Sequence, residues 1–335
     1  MFLEEVFSNN PEKENNWDFF YYILRDANGN PVLSTFFTVC WVKDDMLASA
    51  EVSEKIEKER ETNPYYLTSK NLMMGSLLTE GQHLWIDKQN PSWKQALINL
   101  LDLVWDVQEK QEAAVLLLRD FREDDVEMRE FFMDQGFIKI ETEENNFIFN
   151  EQKNTPEVFF EQLLDSKKKK YVFKTEVQKD DDLVNVSVGP CLKEEVPVYF
   201  KLYSDVKSKK LNLNTFDLPY KLFEKMCESP NWEVIKIELT ENKKTLCIGL
   251  CGKNAHNYCP TIIGMNYSDD ISVNVYKKML YQAICRGLDL KTEVIHLGLG
   301  SSPAKHKLGA ETIKQVAFIQ IKDHYNMELI NSMKS

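Results

Sequence analysis

Absences narrow the reading before any motif does. No apolar run approaches the length of a membrane span. The opening MFLEEVFSNNPEKENN lacks the basic-then-apolar order of a secretion signal. Seven cysteines, an odd number at irregular spacing, do not compose a disulfide framework. These three absences predict a reduced, cytoplasmic protein without a membrane span. Basic excess is missing too. With 41 Lys and Arg against 53 Asp and Glu the net charge is −12, which argues against DNA as a partner, since nonspecific binding depends on neutralising phosphates.

Several catalytic signatures are also lacking. No Gly-Lys-Ser/Thr ending makes a Walker loop, and no G-x-G-x-x-G opens a helix. No Gly-x-Ser-x-Gly elbow occurs. Cys247, Cys251, Cys259 and His256 fall outside the paired spacing of zinc sites, so no metal is expected and buried thiols account for the cysteines.

What is present is enough apolar material for two cores: 43% of 335 residues, with 19 Phe, 13 Tyr and 6 Trp. The same order of elements is spelled twice. A strand pair leads to a third strand, a long amphipathic helix, a short buried strand, another helix and a closing strand. In the first copy the late elements are HLWID, PSWKQALINLLDLVWDVQEK, AAVLLLRDF, DVEMREFFMDQGF and IKIETEENNFIFN. In the second they are TIIGMNY, SVNVYKKMLYQAICRGLDL, VIHLGLG, SSPAKHKLGAETIKQ and VAFIQIKDH. The polar, proline-ended NEQKNTPE (150–157) separates a domain at 1–151 from one at 156–335.

Local signals support this order. Asn28-Gly29 marks a hairpin turn, and Pro91 after Asn90 suits the start of a helix whose face carries Ala96, Leu97, Leu100, Leu101, Leu103, Val104 and Val107. AAVLLL lacks alternation, as a strand buried on both faces does. Gly136 and Gly287 are read as helix stops. The run Lys167–Lys170 is read as a solvated helix end, able to steer an anion or an RNA stem. In the second copy two further helical stretches, 192–209 and 218–228, have no full counterpart in the first.

Chemistry concentrates in three places. HLGLGSSPAKHKLGAE (296–311) sets Gly300, Ser301 and Gly309 in a strand-to-helix turn whose free N–H groups suit an anion, with Lys305 and Lys307 as point charges. The alternative is an ordinary small-residue turn. In 258–278, Asn274 and Tyr276 open a helix while Tyr258 and Tyr267 are phenols able to donate a proton. Capping and packing explain Asn274 and Tyr276 equally well. In the first copy Asp44-Asp45 and Glu80-Gly81-Gln82-His83 hold the acids least explained by a helix face; Glu80 is placed to face a cleft, and a solvated turn residue is the commoner role of such an isolated Glu.

These residues resemble the tandem-domain GNAT acyltransferases, relatives of the Fem-type aminoacyl transferases. CIGLCGKN, TIIGMNY, NVYKKMLYQAICRGLDL and LGLGSSPAKHKLGAE are similar to the C-terminal half; Asn274 and Tyr276 match an Asn-x-Tyr, and Lys305, Leu308 and Gly309 a Lys-x-x-Leu-Gly. WDFFYYILRDANGNPVLSTFFT with KDDML, YYLTSK and GSLLTEG is similar to the N-terminal half of bacterial members, some of them fused to PLP-dependent enzymes. The resemblance implies an α/β (α+β) fold of two GNAT-like units, each a mixed, mainly antiparallel sheet flanked by helices. It implies acyl transfer from acyl-CoA or an acyl-carrier protein to the amine of a small molecule or amino acid. Tyr276, Lys305 and Glu80 would be catalytic; Asn274, Tyr258, Tyr267, Gly300, Ser301 and Gly309 would bind donor or substrate. CoA would be a co-substrate, with no tightly bound cofactor, and a PLP enzyme or carrier protein a partner. The sequence departs from the family where CoA pyrophosphate is usually gripped: DKQNPSW (87–93) and YSDDISVN (267–274) contain no glycine, and Asp269 and Asp270 would repel phosphate. A Fem-like aminoacyl-tRNA-dependent transferase and a catalytically idle GNAT-like binding subunit are the other two readings.

Overall fold

A computed structural model describes residues 2–209, 213–267, 274–300, 302–322 and 325–333. Along the chain the strands are β1 Asp18–Arg25, β2 Pro31–Lys43, β3 Thr68–Met74, β4 Trp85–Ile86, β5 Val115–Arg122, β6 Ile138–Glu141 and β7 Asn145–Phe149. They continue as β8 Val184–Pro190, β9 Trp232–Leu239, β10 Thr245–Lys253, β11 Asn257–Met265, β12 Val294–Leu299, β13 Glu311–Ile313 and β14 Gln315–Ile321. The helices that bear on the site are α1 Trp93–Lys110, α2 Val126–Asp134, α3 Lys167–Glu176, α4 Val196–Lys207, α5 Tyr220–Glu228, α6 Val275–Asp289 and α7 Ser302–His306.

Two seven-stranded sheets organise these elements, one in the order β1-β2-β3-β5-β14-β6 with β4 beside β2, the other β13-β7-β12-β11-β10-β9-β8. Both are mixed and mainly antiparallel, as expected; β3 with β5 and β11 with β12 are the parallel neighbours. The compact units are 1–142 with 210–219 and 314–335, and 143–209 with 220–313. They are not two consecutive stretches. β14, last in the chain, sits between β5 and β6, and β7 sits between β12 and β13. Each half thus lends its closing strand to the other sheet.

In the first unit α1 forms where apolar residues recur at helical spacing. It buries Ala96, Leu97, Leu100, Leu101 and Val104 in a core with Leu72, Leu116, Leu118, Phe132 and Phe318. Each of these leucines and phenylalanines, and Val104, contributes roughly 1.5–3 kcal/mol by leaving water. Leu103, expected on that face, is 46% exposed. The helix begins later than the sequence implied, with Ser92 as the cap position. Asn90 Oδ1 instead accepts from the Ser92 N–H at 3.0 Å, making Asn90-Pro91 a turn ahead of the helix. Gly29 (φ 85°) turns the hairpin and Gly136 (φ 80°) follows α2.

The second unit packs α6 on its sheet through Met279, Leu280, Ala283, Ile284 and Leu288. Gly287 does not end that helix. It lies inside it because a Cβ there would meet the Ile295 side chain at 2.6 Å. The lysine run is the opening turn of α3, N-capped by Ser166, whose side chain accepts from the Lys169 N–H. SSPAKHKLGAETIKQ, expected to be one helix, gives only the short α7 before β13 pairs with β7.

Candidate functional site

Each sheet opens at its parallel pair. In the second unit β11 meets β12 only at Asn257↔Val294 and Tyr258↔Ile295, although β11 runs on to Met265 and β12 to Leu299. β10 stays paired along β11 as far as Met265, so β11 holds its line while β12 leaves. The departure is built into β12. Its register with β7 slips between His296 and Gly298, and Gly298 (φ 74°) and Gly300 (φ 62°) adopt left-handed backbone that glycine accepts without strain. The result is a wedge with a strand edge along one wall.

The first unit repeats the wedge in a different state. β3 pairs with β5 at Asn71, Leu72 and Met73 and ends at Met74. β5 continues, with a register slip against β14 between Val316 and Phe318, opposite Leu118 and Phe121. Asp120 takes the left-handed position here (φ 65°), strained for a residue with a side chain. Its carboxylate is held by His83 Nε2 at 3.0 Å and Arg119 Nη2 at 3.1 Å. Arg119 Nη1 also donates to the Ser76 carbonyl at 2.9 Å. Burial pushes the Asp120 carboxyl up, and the His83 hydrogen bond and Arg119 charge more than offset it, leaving its pKa below the ordinary value. The His83 ring lies so close to Gly75 (φ 75°) that a Cβ there would sit 2.6 Å from it. Side chains of this chain therefore bridge the end of β3 to β5.

No protein-family model matches the chain, and no curated protein sequence does. Solved structures do match its shape. FemX superposes with a TM-score of 0.56 at 10% identity, over 95% of this chain and 91% of that one. A tandem GNAT protein from the clavulanic acid biosynthesis pathway gives 0.54 at 9% identity, over 91% and 83%. L-PGS from Bacillus licheniformis gives 0.53 at 10% identity, over 99% and 94%. This is the tandem GNAT fold. At such identities the likeness extends to the fold alone.

Within this GNAT scaffold the residues singled out in the sequence meet different fates. Lys305 is 2% exposed, and its Nζ donates to the Gly298 and Leu299 carbonyls at 2.8 and 2.9 Å. It therefore fastens the turn that ends β12, and is not a solvent-facing charge for a phosphate. Lys307 is directed elsewhere as well. With Lys277 it holds Glu176 at the end of α3, at 3.0 and 2.6 Å, and Lys278 reaches Asp181 and the Val177 carbonyl. Asn274 is the N-cap of α6, accepting from the Lys277 N–H at 3.1 Å. Tyr276, one residue into the helix, is half-buried against the unit's core.

Tyr258 is fully buried, so it is not a phenol open to substrate. Its hydroxyl donates to Glu233 Oε1 at 3.0 Å; Arg286 grips the same carboxylate through two nitrogens, at 2.8 and 3.0 Å, and Lys253 at 2.5 Å. Burial pushes the phenol far above its usual range. Tyr267 stays partly exposed just past β11, with the Lys209 ammonium 4.4 Å over its ring. Gly309 (φ 93°) packs under Phe159, which a Cβ would meet at 2.8 Å. Gly300 lends its carbonyl to Asn146 Nδ2 at 3.5 Å. Ser301, Asp269 and Asp270 lie outside the described residues.

In the first unit Glu80 is exposed. Asp45 is fully buried, bound by Arg60 at 2.6 Å and Asn214 at 2.8 Å, and Asp44 accepts from Ser69 and Asn326, so both acids are structural. The His83–Asp120 pair was missed as a unit. No spacing rule links residues 37 apart; the one available hint was a lone His beside a Gly-containing break. Among the described residues no three His, Cys, Asp or Glu converge as a metal site, and no helix is long and apolar enough to cross a membrane.

Proposed function

We propose that the protein is an N-acyltransferase that moves an acyl group from a thioester donor, acyl-CoA or an acyl-carrier protein, to the amine of a small molecule or amino acid, using the second unit's wedge. The observation that carries this reading is the contrast between the two wedges. In the second unit β11 keeps a strand edge beyond Tyr258 that β12 does not cover. In the first unit His83, Asp120 and Arg119 bridge the same gap.

An extended thioester arm has amides that can add to the β11 edge as a further strand does, so backbone hydrogen bonds align it. A β11 N–H at the acyl carbonyl would stabilise the oxyanion. The amine nitrogen, deprotonated by solvent or a nearby base, attacks the carbonyl carbon. The attacking nitrogen sheds its excess proton to solvent, the C–S bond breaks, and the thiolate takes a proton from water or from the Tyr276 phenol, which solvent reprotonates. Amide and free thiol are the products. Lys305 acts in this scheme by holding the β12 turn, and Tyr267 lies at the end of the β11 edge.

The test is a thermal-shift screen with CoA and acyl-CoAs, followed by a transfer assay on amines. Stabilisation by a thioester and a slower Tyr276→Phe variant support the reading. Absence of any shift or transfer with every thioester would sink it. The likeness to FemX and L-PGS favours a second reading, Fem-like aminoacyl transfer from tRNA. Salt-sensitive tRNA binding without a thioester shift would select it.

A further inference from the structure

We infer that the first unit carries a second ligand site, a cavity at the C-terminal end of α1 that takes a free α-amino acid with an apolar or aromatic side chain. The site shares no residue with either wedge and does not depend on the transferase reading.

The cavity forms where one strand outruns its neighbour. β6 begins at Ile138, opposite Ile319, while β14 runs on to Ile321. The last turn of α1 faces that uncovered end with Trp105, Gln108 and Glu109, which stand three and four residues apart on one side of the helix. The space between them is about 470 Å³, within the range of small-ligand pockets.

Gln108 is the residue that points to a ligand. It is 3% exposed, it lines the cavity, and its Nε2 has no hydrogen-bond partner. Buried amides are nearly always paired, because an unmet N–H has lost its water for nothing. Gln320 on the same wall shows the ordinary arrangement. Its Oε1 accepts from the Trp105 indole N–H at 2.9 Å, and its Nε2 donates to the Gln135 carbonyl at 3.1 Å. A methionine would fill the space of Gln108 without an unmet donor, so packing alone does not call for an amide there.

The lining selects the ligand. Its walls are apolar: the half-buried Trp105, Ile319 and Ile321, and Ile138, which is 57% exposed. Its rim carries one charge of each sign. Lys322 Nζ meets Glu109 Oε2 at 2.6 Å, with side chains 43% and 80% exposed, and these are the charged residues lining the cavity among those described. So exposed a pair is weakly held against water and readily exchanges partners. A zwitterion can set its carboxylate on Lys322 and its ammonium on Glu109, on the side where the carbonyl end of α1 also favours a cation. One carboxylate oxygen is then available to the Gln108 N–H, and the side chain lies along the apolar walls. A simple acid would leave its anion facing Glu109, and a simple amine its cation facing Lys322.

Calorimetric titration of the full chain tests this, with L-phenylalanine and L-leucine as probes. Both should bind, while 3-phenylpropionate and phenethylamine, each lacking one charge, should bind about tenfold more weakly or worse. Gln108→Met should weaken L-phenylalanine binding by about tenfold or more, with an unliganded melting temperature equal to or above wild type because the unmet N–H is gone. Glu109→Gln, a surface change, should weaken L-phenylalanine and strengthen 3-phenylpropionate. Wild type that binds neither amino acid overturns the inference. So does binding that survives Gln108→Met, which would place the amino acid elsewhere in the chain, or an acid that binds wild type as tightly as the zwitterion.

Discussion

His83 Nε2 lies 3.0 Å from Asp120 Oδ2, and Asp120 is held in a left-handed conformation at φ 65° where β5 leaves β3. A strained residue persists where its surroundings determine it. Here the carboxylate joins a ring seated on Gly75 to an arginine that reaches the Ser76 carbonyl. The first wedge is thereby bridged from within, and the pair's work is structural.

His83→Ala should lower stability by about 1–3 kcal/mol, the cost of stripping a buried carboxylate of one partner. Acyl transfer by the second wedge should be unchanged at temperatures where the variant is folded. Chemical denaturation alongside the transfer assay checks both halves. A variant as stable as wild type but inactive would show that His83 belongs to the chemistry.

Acid should unfold the protein through Glu233. Burial pushes this carboxyl up, but bonds from Arg286, Lys253 and Tyr258 bring its pKa down to about 2 from an ordinary 4.5. A carboxylate depressed on folding contributes stability that is complete above its unfolded pKa and is lost as pH falls toward the folded value. Glu57, lowered to about 2 beside Lys43, Asn214 and Arg60, acts in the same window. Unfolding free energy should therefore decline as pH drops from about 4.5 toward about 2, and Glu233→Gln should decline less steeply from a lower starting value. Parallel acid limbs for the two proteins would refute this assignment.

Lys305→Ala should separate a structural lysine from a phosphate-binding one. Losing the ammonium leaves the Gly298 and Leu299 carbonyls without that donor, at about 1–3 kcal/mol of stability. The KM for a thioester should stay near wild type while the melting temperature falls. A large rise in KM with an unchanged melt would restore the lysine to donor binding.

Much of the scaffold was legible because it follows local periodicity. Ala96, Leu97, Leu100, Leu101 and Val104 recur on one side of a helix and are buried together. AAVLLL leads into β5 at Val115, but only Leu116 and Leu118 are fully buried while Val115 and Leu117 are partly exposed, so the strand alternates and is not buried on both faces as expected. Asn274 was read as either cap or ligand, and its cap bond to the Lys277 N–H is a local event that a helix start implies. Lys305 was not legible as a fastener. A lysine in a small-residue turn is solvated unless distant chain removes water from the carbonyls beside it.

The two mixed sheets were what the resemblance to GNAT proteins implied. Element order and apolar pattern by themselves determined a twice-repeated set of strands and helices, since burying alternating and helical stripes is a local demand of each segment. They could not determine which sheet takes β7 and which takes β14. Both strands carry apolar residues that any sheet would accept, and their partners, β12 and β5, are far along the chain. They also could not separate the open wedge from the bridged one. That difference rests on whether a side chain from a remote segment, as His83 does on Asp120, converges where the parallel strands part, and only the tertiary structure brings it there.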